Sequence, residues 1–315
     1  MLTLQAIEAA VPRIEQYVHR TPMVRSATLS SEFDRNMYLK LELFQKTGSF
    51  KPRGAFNQIL GLDGLADAQG VVGFSGGNFA QGVSYAGGLL GLEVRIFMPE
   101  FTPSNYVDGT RSYGADVRLL PNMRECMAQA EASLAEGFLN VHPYDSQDMM
   151  AGNGTLGLEI MADVADASDV FVSIGGGGLL GGVATAIKAL SPRTRLWGVE
   201  TEGAETMTAA LAAGHVVDVQ TTSLARTLAP PNVSADALEI AQQTLEEVVL
   251  VSDGDAFESL EFLLERAKVL TELAASCTLS AARARRDQLG DDVVLILCGG
   301  NVSVADVCDM RLKFS

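Results

Sequence analysis

The stretch DVFVSIGGGGLLGG, residues 169–182, decides how the rest of the chain is read. Residues 169–173 are mostly β-branched or aromatic and lack polar alternation, as in a strand buried on both faces of a parallel sheet. Four consecutive glycines, Gly175, Gly176, Gly177 and Gly178, follow almost at once, and apolar spacings of three and four then run over 179–190. The unit is a strand, a tight loop and a helix. Backbone N–H groups converge at such a helix start, at the positive end of its dipole, and can cradle a phosphate there. No Gly-Lys-Ser/Thr follows, so the loop is not a P-loop.

The same unit recurs along the chain. Residues 37–43, 71–75, 94–98, 116–120, 195–200, 248–252 and 293–298 also read as strands, and residues 79–91, 122–135 and 255–270 as helices. This alternation predicts an α/β fold with open parallel sheets flanked by helices. Ligands of such folds bind in the loops after the strands. Two further loops of that kind are glycine-rich, SGGNFAQG (75–82) and CGGN (298–301). Ser75, Gly76, Gly77 and Asn78 offer N–H groups at a helix start, which suits a carboxylate. Gly176, Gly178 and Gly181 also satisfy the G-x-G-x-x-G dinucleotide pattern, with Glu200 placed as a ribose-binding acid. An NAD(P)-dependent or flavin-dependent oxidoreductase is therefore a competing reading, although it leaves the other two glycine loops without a task.

With 315 residues, 47% hydrophobic, the chain can build a large core of one or two domains. The net charge of −16 argues against nucleic acid and against an anionic membrane as partners. No apolar run is long enough to span a bilayer, and the N-terminal residues lack the apolar core of a signal peptide. Cys126, Cys277, Cys298 and Cys308 form no zinc pattern. Reduced thiols and a cytoplasmic location are expected.

The segment KTGSFKPRGA, residues 46–55, contains an oddity. Gly48 and Ser49 read as a turn and a helix cap, and Pro52 fits a first helical turn. Lys51 then sits where the helix dipole disfavours a cation by roughly 0.3–1 kcal/mol. No carboxylate is near it in sequence. Such an amine is biased away from the solvated ammonium.

TGSFKPRGA, SGGNFAQGVSYA, GNGTLGLEI, SIGGGGLLGG and LCGGN occur in the order that marks the fold type II pyridoxal-phosphate enzymes. The chain resembles their serine/threonine dehydratase (threonine ammonia-lyase) and serine racemase branch from about residue 20 to residue 303. The resemblance implies pyridoxal 5'-phosphate as cofactor, carried as an imine on Lys51, which also removes the substrate Cα proton. It places Phe50 near the cofactor ring, Gly175 to Gly178 and the N–H of Leu179 at the phosphate, Asn78 at the ring hydroxyl and the thiol of Cys298 at the ring nitrogen. Ser75, Gly76, Gly77 and Asn78 match the loop holding the substrate carboxylate. The implied reaction is dehydration and deamination of a small β-hydroxy amino acid such as L-threonine or L-serine.

Departures from the family pattern qualify this. Racemases of the family carry a second acid/base serine where this chain has Gly76, which favours elimination over an amino-acid racemase. Phe79 replaces a histidine. Arg226 replaces an aspartate, and if it faces the pocket it could bind the side-chain carboxylate of 3-hydroxyaspartate. Relatives hold Mg²⁺ or Ca²⁺ with a glutamate, a carbonyl and an aspartate. Here Glu200 and the Ala204 carbonyl match, but Thr206 takes the aspartate's place. His142 resembles a family landmark and reads as structural. The resemblance also implies a large cofactor-binding domain from residues 1–65 and 146–315, a small domain over 66–145 that closes on substrate, and a homodimer. With the chain ending soon after LCGGN, no appended regulatory domain is expected.

Overall fold

The computed structural model describes residues 1–314. Its ten strands are β1 (Met23–Arg25), β2 (Asn36–Leu41), β3 (Gly70–Phe74), β4 (Val94–Pro99), β5 (Asp116–Leu120), β6 (Phe138–Asn140), β7 (Asp169–Ser173), β8 (Arg195–Thr201), β9 (Leu245–Val251) and β10 (Asp292–Leu297). They form a six-stranded sheet in the order β1-β2-β10-β7-β8-β9 and a four-stranded sheet in the order β5-β4-β3-β6. Every pairing is parallel except that of β1 with β2. The larger sheet draws on both ends of the chain, and the smaller one on residues 70–140.

All eight expected strands exist. β2 stops at Leu41, where the chain tightens into 3-10 turns over Glu42–Phe44 and Lys46–Gly48, and β9 begins three residues before the expected 248. β1 and β6, three residues each, are too short to leave a periodic signal. The helix expected over 255–270 ends at Phe262, and a π turn over Leu263–Ala267 leads to Lys268 at φ +61°. Among the described residues, no helix is long and apolar enough to cross a membrane.

The helix Gln147–Asp163 carries the GNGTLG segment and lies against the helix Gly178–Leu190. A Cβ on Gly182 would fall 2.1 Å from the Met150 carbonyl oxygen. The glycines on both helices thus let the two backbones touch.

The helix Lys51–Gly61 begins at Lys51, with Phe50 rather than Ser49 at its cap position. Ser49 instead pairs with Gly299 as an isolated β-bridge, and its buried Oγ has no partner. The reason is that the chain is still extended at Ser49, with φ −160° and ψ 164°, and is held to the end of β10 by the Phe50 N–H donating to the Cys298 carbonyl at 3.0 Å. The far side of this helix is anchored by charge. Arg53 is buried and donates to Glu42 at 2.8 and 2.9 Å and to Glu159 at 2.7 and 3.0 Å. Buried Lys40 donates to Glu159 at 2.6 Å and to the Thr21 carbonyl at 2.8 Å. This network ties β2 and its following turn, the Lys51 helix and the helix Gln147–Asp163 into one frame.

Candidate active site

The carboxyl ends of β3, β7 and β10 open onto one cavity of about 640 Å³ between the two sheets. Its walls bring together Phe50, Lys51, Ser75, Gly76, Gly77, Asn78, Gly175, Gly176, Gly177, Gly178, Leu179, Arg226 and Cys298. Three glycine loops and the odd lysine, spread over 250 residues, therefore share one space.

The Lys51 Nζ donates to the Pro143 carbonyl at 2.9 Å and lies 5.1 and 5.7 Å from the ring centres of Phe50 and Phe79. Burial pushes its pKa down to about 8, against the opposing pull of Cys298 and Glu272. Phe79 thus forms part of the apolar wall around the amine.

The loop 175–178 approaches its surroundings too closely for side chains. A Cβ on Gly176 would meet the Tyr144 ring at 2.2 Å, and Gly177, at φ +91°, opens the helix with Ala237 against it. The first N–H groups of that helix have no intrahelical acceptor and are available to an anion. Asn153 holds the loop from behind, donating to the Gly178 carbonyl at 3.1 Å.

On the other wall, the Gly77 N–H donates to Ser75 Oγ at 3.1 Å, and a Cβ on Gly76 would crowd Thr102 Oγ1 at 2.8 Å. Cys298 accepts from Ser173 Oγ at 3.4 Å, and burial first, then Glu272, pushes its thiol up to about 12. It is neutral at physiological pH. His142 lies beside the site with its ring against Phe74 and Tyr144, and its Nδ1 accepts from the Asp145 N–H at 2.8 Å. Burial lowers its pKa, so it holds the loop as a neutral ring.

Sequence reasoning missed Glu272. This carboxylate is buried at the cavity edge. It accepts from Asn78 Nδ2 at 2.7 Å and from the Tyr106 hydroxyl at 3.3 Å. Burial raises its pKa to about 7. The available signal was a lone acid in VLTELAASCTLS, 269–280, an otherwise uncharged run. Asn301, the last residue of CGGN, was also unassigned. Its Nδ2 donates to Asn78 Oδ1 and to the Thr47 carbonyl, both at 2.8 Å.

Two expected residues lie elsewhere. Glu200 and Ala204 do not line the cavity. The Glu200 carboxylate accepts from the backbone of Met207 and Thr208 at 2.6 and 2.9 Å, and from the hydroxyls of Thr206 and Thr208 at 3.2 and 2.7 Å. It caps the helix Thr206–Ala213. Its oxygens are filled by donors, and Thr206 adds one more donor where a cation needs an acid. The site does not fit Mg²⁺ or Ca²⁺. Among the described residues, no three His, Cys, Asp or Glu side chains converge as a metal site would require. Arg226 reaches the cavity at its exposed rim, from a short turn over Arg226–Leu228.

A family model described as pyridoxal-phosphate dependent enzyme matches residues 14–299. The chain belongs to that family. This overturns the nicotinamide or flavin reading of Gly176, Gly178 and Gly181, and buried Glu200 is spent on a helix. The chain is 38% identical over 307 residues to an L-threonine ammonia-lyase of Thermotoga maritima, covering 96% of this chain and 77% of that protein. It is 36% identical over 299 residues to an L-threo-3-hydroxyaspartate ammonia-lyase of a Pseudomonas species, covering 94% of each. The solved structure of maize serine racemase superposes with a TM-score of 0.92 at 29% identity, over 99% of this chain and 97% of that one. The cofactor is pyridoxal phosphate, and the donor set fits it: an amine of lowered pKa, an anion-binding helix start and a neutral thiol share the cavity.

Proposed function

We propose that this protein is a lyase that takes a small β-hydroxy amino acid, L-threonine or L-serine, to the 2-oxo acid and ammonia. The observation that carries the reading is a single half-buried amine, Lys51, in a cavity whose other loop presents Gly76. Glycine has no side-chain acid or base to exchange a proton, and crowding by Thr102 leaves little room for a serine there. Elimination needs one base, whereas racemisation needs a second proton donor.

Pyridoxal phosphate, when bound, supplies the electron sink for the carbanion at Cα. Lys51 would hold it covalently, with Phe50 beside its ring. The N–H groups from Gly175 to Leu179 would hold its phosphate, and Asn78 its ring hydroxyl. Cys298, kept neutral, is a weak donor for the ring nitrogen and leaves it largely unprotonated. Ser75, Gly76, Gly77 and Asn78 bind and orient the substrate carboxylate at the start of the helix Asn78–Leu89. The Lys51 amine takes the Cα proton. The proton lost from Cα and the hydroxyl lost from Cβ together make one water, and the released enamine takes up one water to give the 2-oxo acid and ammonia.

Residues 1–65 with 146–315 and residues 66–145 act as two bodies in this reading, closing to exclude water. A homodimer in the cytoplasm completes it. The second reading, 3-hydroxyaspartate as substrate, is favoured by the cationic Arg226 at the cavity rim and by the relative named for that activity. Release of 2-oxo acid from L-serine, L-threonine and L-threo-3-hydroxyaspartate, assayed in parallel, separates the two. Turnover of threonine or serine supports the first, hydroxyaspartate alone the second. Formation of D-amino acid without ammonia would overturn both.

A further inference from the structure

Glu272 forgoes the usual work of its position. It is the N-cap residue of the helix Leu273–Ala284, yet its side chain accepts no bond from that helix. The carboxylate turns instead toward the cavity and lies against Gly299, where a Cβ would come within 2.4 Å of Oε1. Its own helix packs on the larger sheet, while its donors Asn78 and Tyr106 belong to the layer around the four-stranded one. The Tyr106 hydroxyl also bonds the Asn301 carbonyl.

We propose that Glu272 is a positioning residue that clasps the two halves of the molecule at the edge of the active site and aims the Asn78 amide into the cavity. The amide's orientation is decided by its neighbours: Oδ1 accepts from Asn301, and one N–H goes to Glu272. A primary amide has a second N–H, and this one is left for what the cavity holds. The proposal rests on the pyridoxal-phosphate elimination reading above.

A glutamine would offer one acceptor and one donor where the carboxylate offers two acceptors. The acid is retained although burial penalises its ionised form and no cationic side chain pairs with it among the described residues. The ionisable or charged groups facing the clasp are Lys51 from its helix, Cys298 after β10, Cys277 from the same helix as Glu272, and Tyr106, which itself feels Asp306 and Arg226. Ionised, the carboxylate accepts from both donors. Protonated, it becomes a donor among donors and the clasp loosens.

Two variants of the holoenzyme test this. In Glu272→Gln, Tm relative to the parent should rise as pH goes from about 5 through about 7 and then level off, because the parent alone takes on the buried charge over that range. At the same time kcat should fall roughly 10- to 100-fold with KM little changed, and the acidic limb of the pH–rate profile should vanish. In Tyr106→Phe that limb should move to higher pH, since the carboxylate loses a stabilising donor. A Tm difference that does not change with pH, a kcat within twofold of the parent, or an unmoved limb in Tyr106→Phe each overturns the proposal. The Tm comparison needs no substrate. A Tm trend without 2-oxo acid release from any substrate would therefore indict the elimination reading and leave the clasp standing.

Discussion

The two faces of one helix hold opposite kinds of buried charge. Arg53 and Lys51 are two residues apart at the start of Lys51–Gly61; Arg53 is buried and Lys51 half-buried at the cavity. Arg53 meets two carboxylates, Thr155 Oγ1 and the His19 carbonyl, and those partners hold it firmly protonated. Lys51 meets one backbone carbonyl and two aromatic rings, and burial takes its amine down to about 8. A buried cation with a full set of partners is scaffold. One without an anionic partner in contact is chemically available. The scaffold charge fixes the helix, so that the Lys51 amine enters the cavity at a set place.

If that contrast is right, the two cations fail differently when removed. Lys51→Ala should lower turnover by about 10⁴-fold, at the upper end of what a positioned base contributes, and abolish the yellow colour of the bound cofactor while leaving the fold intact. Circular dichroism and the visible spectrum check both halves. Arg53→Met should instead cost about 3–5 kcal/mol of stability, because Glu42 is left buried and uncompensated. Urea unfolding measures this, and a loss below about 1 kcal/mol would show that the network is not the anchor described.

Smaller effects refine the site. If Arg226 binds the side-chain carboxylate of 3-hydroxyaspartate, Arg226→Ala should weaken kcat/KM for that substrate roughly 10- to 100-fold, as for loss of a charged hydrogen bond, and change threonine turnover little. Equal effects on both would make Arg226 a surface residue. Recovery of colour when pyridoxal phosphate is returned to apoenzyme should quicken as pH rises through about 8, where the Lys51 amine loses its proton. Between pH 7 and 9 the neutral fraction grows roughly tenfold, and the initial rate should follow it. A flat profile would mean that the amine is already neutral at pH 7.

The contrast between Lys51 and Arg53 was only half legible in the chain. Local chemistry made Lys51 conspicuous, because proline and the helix start are read within a few residues. Nothing nearby distinguished Arg53, whose partners Glu42 and Glu159 lie 11 and 106 residues away. Glu200 shows the reverse error. Its place at the end of β8 looked like that of a ligand, yet four donors at the start of the next helix had already claimed it.

The order of strands and helices, the three glycine loops and the unusual place of Lys51 at a helix start were set by the sequence alone. Each rests on short-range physics: periodicity, β-branching, backbone freedom at glycine and the geometry of a helix start. The meeting of those loops with Glu272, Asn301 and Arg226, the saturation of Glu200 and the burial of Arg53 were settled by the packing of the two sheets. A carboxylate's partners and its distance from water depend on residues far away in the chain, and those become neighbours only when the fold closes.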